Sequence, residues 1–262
     1  MFDGGIRGAA IATVSAQVIA LLWQLKQFNN ANELLHFRRG IFRLKRKIVF
    51  DSLAIGMSPF LMNLAACLIV ILINQGLKKY GGDLAIGAFG IVNRLVFIVV
   101  MIVMGLNQGM QPIAGYNFGA KLYDRVNKVL KLTIIYATCV TTFGFLVGML
   151  APNLVVGIFT SDAELTELSA TGLRITVMFF PIIGFQMVTS NFFQSIGMAG
   201  KAIFLSLTRQ MLILLPCLLI LPHFFGVAGV WYSMPVSDLL ASLIALVMLV
   251  YQFRKFKTAA AH

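Results

Sequence analysis

Seven apolar runs, at residues 8–25, 52–77, 84–111, 126–151, 171–194, 202–222 and 226–252, take up most of this 262-residue chain. A bilayer crossing needs about 20 mainly apolar residues in helical form, so each run is long enough to be read as a span. In hydrocarbon the backbone polar groups must be satisfied within the segment, which confines single spans to helices. Only 11% of the residues are charged, where soluble domains carry about a quarter. The expectation is an all-α membrane protein with seven transmembrane helices, embedded in a lipid bilayer. Several runs exceed the minimum length, which implies tilt or extension beyond the bilayer. Pro59, Pro181, Pro216 and Pro235 fall inside four of them, where a kink is tolerated if neighbouring helices satisfy the freed carbonyl.

The charge excess of +12 sits in the gaps between runs, with no basic stripe interleaved with aromatics, so no nucleic-acid partner is expected. The gaps alternate in sign. Lys26, Arg38, Arg39, Arg43, Lys45, Arg46 and Lys47 follow the first run, and Lys121, Arg125, Lys128, Lys131, Lys201, Arg254, Lys255 and Lys257 recur in every second gap. The intervening gaps hold "KKYGGD" at 78–83, "SDAELTE" at 161–167 and "LPHFFG" at 221–226. The positive-inside rule then places the amino terminus outside and the carboxyl terminus in the cytoplasm of a multi-pass cell (inner) membrane protein. The stretch Arg38–Lys47 reads either as a short helix on anionic headgroups or as an ordinary cytoplasmic retention signal.

Soluble-enzyme chemistry has no foothold. Cys67, Cys139 and Cys217 lie deep in apolar runs, and His36, His223 and His262 have no cysteine or carboxylate at ligand or triad spacing. No metal site, catalytic residue or cofactor is expected. The glycines of "GAFG" (87–90) and "GLNQG" (105–109) read as close-packing positions on membrane helices. A retinal protein would need a mid-span lysine for its Schiff base, and the final run has none, which weakens a seven-span receptor reading.

The two ends of the chain resemble each other. Gly5–Gln17, "GIRGAAIATVSAQ", and Gly226–Asp238, "GVAGVWYSMPVSD", share Gly-apolar-x-Gly and then a mostly apolar helix. Three further elements lie between them. "LNQGMQPIAGYNFGAKLYDRV" (106–126) carries Gln111, Pro112, Gly115, Asn117, Gly119 and Arg125, in which Pro112 and the glycines are expected to end one helix in a tight cytoplasmic turn. "FFQSIGMAGKAIFLSLTRQ" (192–210) precedes Pro216, and "FGVAGVWYSMPVSD" (225–238) closes the set.

In this order and topology, these elements resemble the MATE family of multidrug and toxin extrusion transporters. The resemblance implies twelve helices in two six-helix lobes related by a pseudo-two-fold axis along the membrane normal, around a cavity that opens to alternate sides. It makes Gly5–Gln17 and Gly226–Asp238 equivalents in the two lobes. Residues 1–25 are then the last helix of a truncated amino-terminal lobe, 26–51 a basic inter-lobe loop, 52–253 one carboxyl-terminal six-helix lobe of MATE type, and 254–262 a cytoplasmic tail. The first five helices of the missing amino-terminal lobe would be its partner. The implied function is part of a proton- or sodium-coupled antiporter that exports drugs or other xenobiotics, small amphipathic or cationic molecules, by alternating access. A flippase for lipid-linked sugars of the same superfamily is the alternative; it would call for more cavity cations than Arg94, Arg174 and Arg209. Some family members hold a coupling cation with a Glu and an Asp in the first and fourth helices of this lobe. Residues 52–77 and 171–194 contain no carboxylate, so that site does not carry over.

Ionisable side chains inside a span are costly and mark candidate sites. Asp238, Arg209 and Arg94 are the candidates for intramembrane charge or coupling. Asp238 reads either as a protonatable carboxylate or as half of a fixed ion pair with Arg209 that ties the last two helices together. Among uncharged polar groups, Asn63, Gln186 and Asn191 are expected to face a substrate cavity; for each, an interhelical hydrogen bond is the competing role.

Overall fold

The computed structural model describes residues 5–30, 36 and 45–260, which are helical apart from short turns and connections. Two compact units are present, Met1–Met57 and Ser58–His262. In the first, α1 (Gly5–Phe28) is a single helix whose apolar side chains, Ile11, Val14 and Trp23 among them, are exposed. Residues 31–35 and 37–44 of the basic loop lie outside the described residues, and so does most of the expected surface helix at Arg38–Lys47. Arg46 and Lys47 belong to the start of α2 (Arg46–Gly119), where the Arg46 guanidinium sits 5.5 Å from the centre of the Phe50 ring.

Within the second unit the apolar part of α2, Phe60–Gly119, runs for 60 residues, far beyond the ~20 that one crossing needs. It breaks at Gly82, whose φ of 67° and ψ of −163° only a residue without Cβ adopts at low cost. The break falls in "KKYGGD", between two of the expected spans. At its other end α2 departs from expectation. Pro112 does not stop the helix, which continues through Gly115 and Asn117 to Gly119 before turning at Ala120–Lys121, where Lys121 takes φ 58°. A proline removes one N–H from the ladder, and inside a bundle that loss is tolerated.

α3 (Tyr123–Leu150) and the short α4 (Pro152–Val156) follow, and then α5 (Ala163–Val177). The segment 161–167, expected as an outer loop, is largely the first turn of α5. Asp162 accepts a hydrogen bond from Leu165 N at 2.9 Å, and Glu164 lies in that first turn, where negative charge complements the helix dipole. α6 (Phe180–Ser195) is bent 55° from α5 at Met178–Phe179, with Pro181 in its first turn. The run expected as a fifth span is therefore a bent pair.

α7 (Ala199–Leu207), a π-helical stretch (Thr208–Leu214) and α8 (Leu215–Phe225) form one continuous rod. Leu215 N donates to Gln210 O, the five-residue step of a π-helix, immediately before Pro216, which has no N–H to give. α9 (Val227–Ala260) passes through Pro235 without breaking and extends through most of the expected tail. Among the described residues, four helices are long and apolar enough to cross a membrane, or five if the bent pair counts as one span. The described residues form an all-helical fold whose long apolar helices suit a membrane.

Apolar packing in the second unit forms two clusters, one around Leu77, Val92, Val177, Phe180 and Trp231, the other around Val103, Leu130, Val188, Phe192 and Ala245. Several helices that join both clusters carry polar residues at the crossover: Asn93 on α2, Gln186 on α6, Thr208 and Arg209 on the π-helical stretch, and Ser237 and Asp238 on α9. This polar layer is where the candidate site lies.

α3 packs extensively against α6. Lipid offers no hydrophobic drive for such pairing, so close backbone approach has to supply it. Gly184 provides that approach: a Cβ there would stand 2.9 Å from the Ala137 carbonyl and 2.8 Å from Thr141 Oγ1. Within this unit, the glycines of "GAFG" and "GLNQG" meet no neighbour as closely. Gly90, Gly105 and Gly109 have open space where a Cβ would go, and Gly87 meets only an ordinary contact with Leu165. Gly184→Ala is expected to lower stability by about 1–3 kcal/mol, through displacement of α3. Gly109→Ala is expected to change it by less than about 1 kcal/mol. Thermal unfolding of the two purified variants in detergent compares them directly.

Candidate functional site

α9 places Asp238 on its inward face, just over one turn beyond the buried Ser233 and adjacent to the buried Ser237. The π-helical stretch places Arg209 opposite. Arg209 Nε donates to Asp238 Oδ1 at 2.6 Å, a charge-assisted contact that joins the last two rods of the unit. The two partners are unequally covered: the Asp238 side chain is 5% exposed and the Arg209 side chain 33%. Neighbouring hydroxyls do not compete for the carboxylate. Ser237 Oγ donates to Met234 O and Ser242 Oγ to Asp238 O, both within α9.

The pair lines a cavity of about 240 Å³. Its walls are mainly apolar, with Phe89 and Phe180 as the aromatic faces and Met187 and Met234 as flexible thioethers; Asn93, Thr176 and Ser237 are its uncharged polar residues. Thioethers repack easily around ligands of different shape, and a few fixed polar groups orient what binds. Thr176 Oγ1 donates to Gly172 O, so that hydroxyl is already committed to its own helix.

The sequence-derived candidates divide three ways. Arg209 and Asp238 come together at the cavity. Gln186 and Asn191 lie on α6 near the cavity-lining Met187 but are not in the lining. Gln186 is buried, and the Asn191 amide donates to Met187 O at 3.0 Å, a bond within its own helix rather than between helices. Asn63 is exposed on the first arm of α2, also outside the lining. Arg94 faces away from the cavity. With Gly90, Phe97, Met101, Gly105, Gln108 and Pro112 it forms an exposed stripe at spacings of three and four, opposite the buried stripe of Val92, Val103, Asn107 and Met110.

At the α2–α3 turn, Asn117 is the organising residue. It is buried, its amide donates to Ile113 O at 2.8 Å, and its backbone carbonyl accepts from Leu122 N at 2.9 Å. Gly115 lies close enough that a Cβ would come 3.0 Å from Ser195 O, so α2 and α6 meet there. Gln111 is half-buried, while Pro112, Gly119 and Arg125 are exposed. Sequence reasoning passed over Asn93, Thr176 and Ser237 as cavity residues. Asn93 was legible as a polar residue inside an apolar run, whereas Thr176 and Ser237 gave no signal of their own.

The fold and site can be set beside known proteins. The family profile MatE matches residues 54–220. Multidrug export protein MepA of Staphylococcus saprophyticus is 24% identical over 253 residues, and that of Staphylococcus aureus is 27% identical over 257; in each case the match covers 97% of this chain and 55% of the relative. Among solved structures, the MATE multidrug transporter DinF-BH superposes with a TM-score of 0.81 at 35% identity, over 97% of this chain and 57% of that one. A MATE structure in the bent conformation reaches 0.83 at 20% identity, over 99% of this chain and 58% of that one, which speaks to the fold alone. The chain spans about half the length of the relatives it matches. The matched profile runs across α2 to α8, the helices that supply Arg209 and most of the cavity wall, and the chain belongs to the MatE family of membrane transporters.

Proposed function

We propose that this chain supplies one six-helix lobe and an adjoining helix of a cation-coupled antiporter that exports small amphipathic molecules by alternating access. It would sit in the cell membrane with its amino terminus outside and its carboxyl terminus in the cytoplasm. The observation that carries this reading is the cavity itself: an apolar chamber in the polar layer between two packed clusters, with one ion pair in its wall. Such a chamber holds an amphiphile by its body and orients it by its polar end.

The exposed stripe on α2 supports a second lobe. An arginine facing lipid in mid-span is costly, and Gly90, Gly105 and Gln108 beside Arg94 make a face suited to another helix. Alternating access then consists of one lobe rocking against the other around a site near mid-depth. The coupling ion, proton or sodium, is assigned to the other lobe. Asp238 is already held by Arg209, and among the described residues no group of three His, Cys, Asp or Glu side chains could bind a metal ion. The exposed Lys121 and Arg125 at the α2–α3 turn favour a cytoplasmic position for that end.

Cells loaded with a panel of fluorescent amphiphilic dyes, anionic, neutral and cationic, provide the test. The chain alone should leave efflux at the background rate. Co-expression with the amino-terminal lobe of a full-length relative should raise efflux, and an ionophore that collapses the ion gradients should abolish the gain. Full efflux by the chain alone, or efflux indifferent to the ionophore, contradicts the proposal.

The ion pair gives a separate stability test. Asp238→Asn leaves a partly buried guanidinium without its counter-charge. Because one-third of the Arg209 side chain is exposed, the loss falls at or below the low end for broken buried pairs, about 2–3 kcal/mol. The double variant Arg209→Met, Asp238→Leu should recover most of that loss. Unfolding midpoints in detergent for the single and double variants decide it; a double variant no more stable than the single would show that the pair is not the cause.

A further inference from the structure

The ion pair and the cavity together point to the polarity of the ligand. We propose that the cavity takes an amphiphile bearing an oxyanion, a carboxylate on an aromatic or aliphatic body, with Arg209 as the group that receives it. This rests on the proposed function, since it names the class of molecule that the exporter's cavity holds.

The cavity lining contains one acid and one base, and the base is the accessible one. Asp238 is 5% exposed and turned to its partner, so it presents no uncompensated carboxylate to a cation. Arg209 is 33% exposed, and only its Nε is engaged. Among the described residues neither of its Nη groups has a hydrogen-bond partner. A guanidinium bound through Nε alone keeps its remaining N–H donors, and their planar array matches the two oxygens of a carboxylate. Asp238 neutralises and orients the guanidinium without occupying it. Phe89, Phe180, Met187 and Met234 then enclose the apolar body. On this proposal the cavity favours anionic over cationic amphiphiles.

The test uses the full chain in phosphatidylcholine nanodiscs at neutral pH and three probes with one naphthalene body: 2-naphthoate, 2-naphthamide and (2-naphthylmethyl)trimethylammonium. Saturable binding above that of empty nanodiscs is measured by calorimetry. The wild-type chain should bind naphthoate about tenfold or more tightly than the amide or the ammonium probe. Arg209→Gln should remove that preference. The wild-type comparison of the three probes stands even if a variant fails to fold. Tighter binding of the ammonium probe, or a naphthoate preference that survives Arg209→Gln, overturns the assignment of polarity and leaves the cavity as an amphiphile site. Loss of naphthoate binding when half the lipid is phosphatidylglycerol assigns the oxyanion site to lipid headgroups and also overturns it. If none of the three probes binds saturably, the cavity reading fails along with the polarity.

Discussion

An ion pair set in the polar layer between two apolar clusters constrains the helices around it. Arg209 and Asp238 face each other at 2.6 Å, and either charge is costly there without the other. Their contact requires the π-helical stretch and α9 to be held at one register and one rotation. Buried pairs add little net stability compared with well-packed apolar substitutes, but they penalise every alternative packing heavily. In a membrane, where helices slide past one another with little hydrophobic cost, such a penalty is an effective means of fixing which faces meet. The serines around the pair bond to their own α9 backbone and add no charge, and a second polar link between the same two rods, Lys201 Nζ donating to Gln252 Oε1, lies further along them.

Local breaks in the helices serve the same layer. The π-helical stretch begins at Thr208, one residue before Arg209, and its five-residue hydrogen bond ends at Leu215, just before Pro216. A proline in a regular helix would orphan a carbonyl; the widened turn absorbs the defect and changes the direction in which Arg209 leaves the axis. The bend at Met178–Phe179 brings Thr176 and Phe180 to the same cavity from two differently oriented helices. Gly82 breaks the course of α2 so that both of its arms pack in one unit, contributing Ile73 from one side and Asn93 from the other. Each break carries a residue type that cannot continue a regular helix unchanged, and each sets cavity residues in place.

These same features mark where the sequence was legible. Apolar runs and charged gaps exposed the membrane class, the break in "KKYGGD" and the candidates Arg209 and Asp238, because burial of charge in a span is rare enough to stand out. Pro112 misled, since proline signals a helix end in water but not in a bundle that satisfies the freed carbonyl. "SDAELTE" looked like a loop because it is acidic, although the Asp162 cap and the Glu164 behind it are a helix-start signal. Asn63, Gln186 and Asn191 could not be placed by composition, because the choice between a cavity and the helix's own carbonyls depends on rotation about the axis. The exposed stripe through Arg94 was present in the spacing of three and four, but exposure on one side becomes visible only when the opposite side is shown to be packed.

The repeat between the two ends of the chain gains meaning from the ion pair. The shared glycine precedes a long apolar helix in both places, within α1 after Gly5 and in α9 after Gly226. Counting forward from it, Gln17 occupies the position that Asp238 holds in α9. A glutamine there can donate and accept hydrogen bonds but cannot anchor a guanidinium by charge. The backbone pattern is repeated and the electrostatics are not, and the charge that fixes Arg209 belongs to one copy only. On the proposed two-lobe reading, a scaffold that repeats its backbone pattern while changing the charge at one position gives its two copies different electrostatics, and Gln17 and Asp238 mark where they differ.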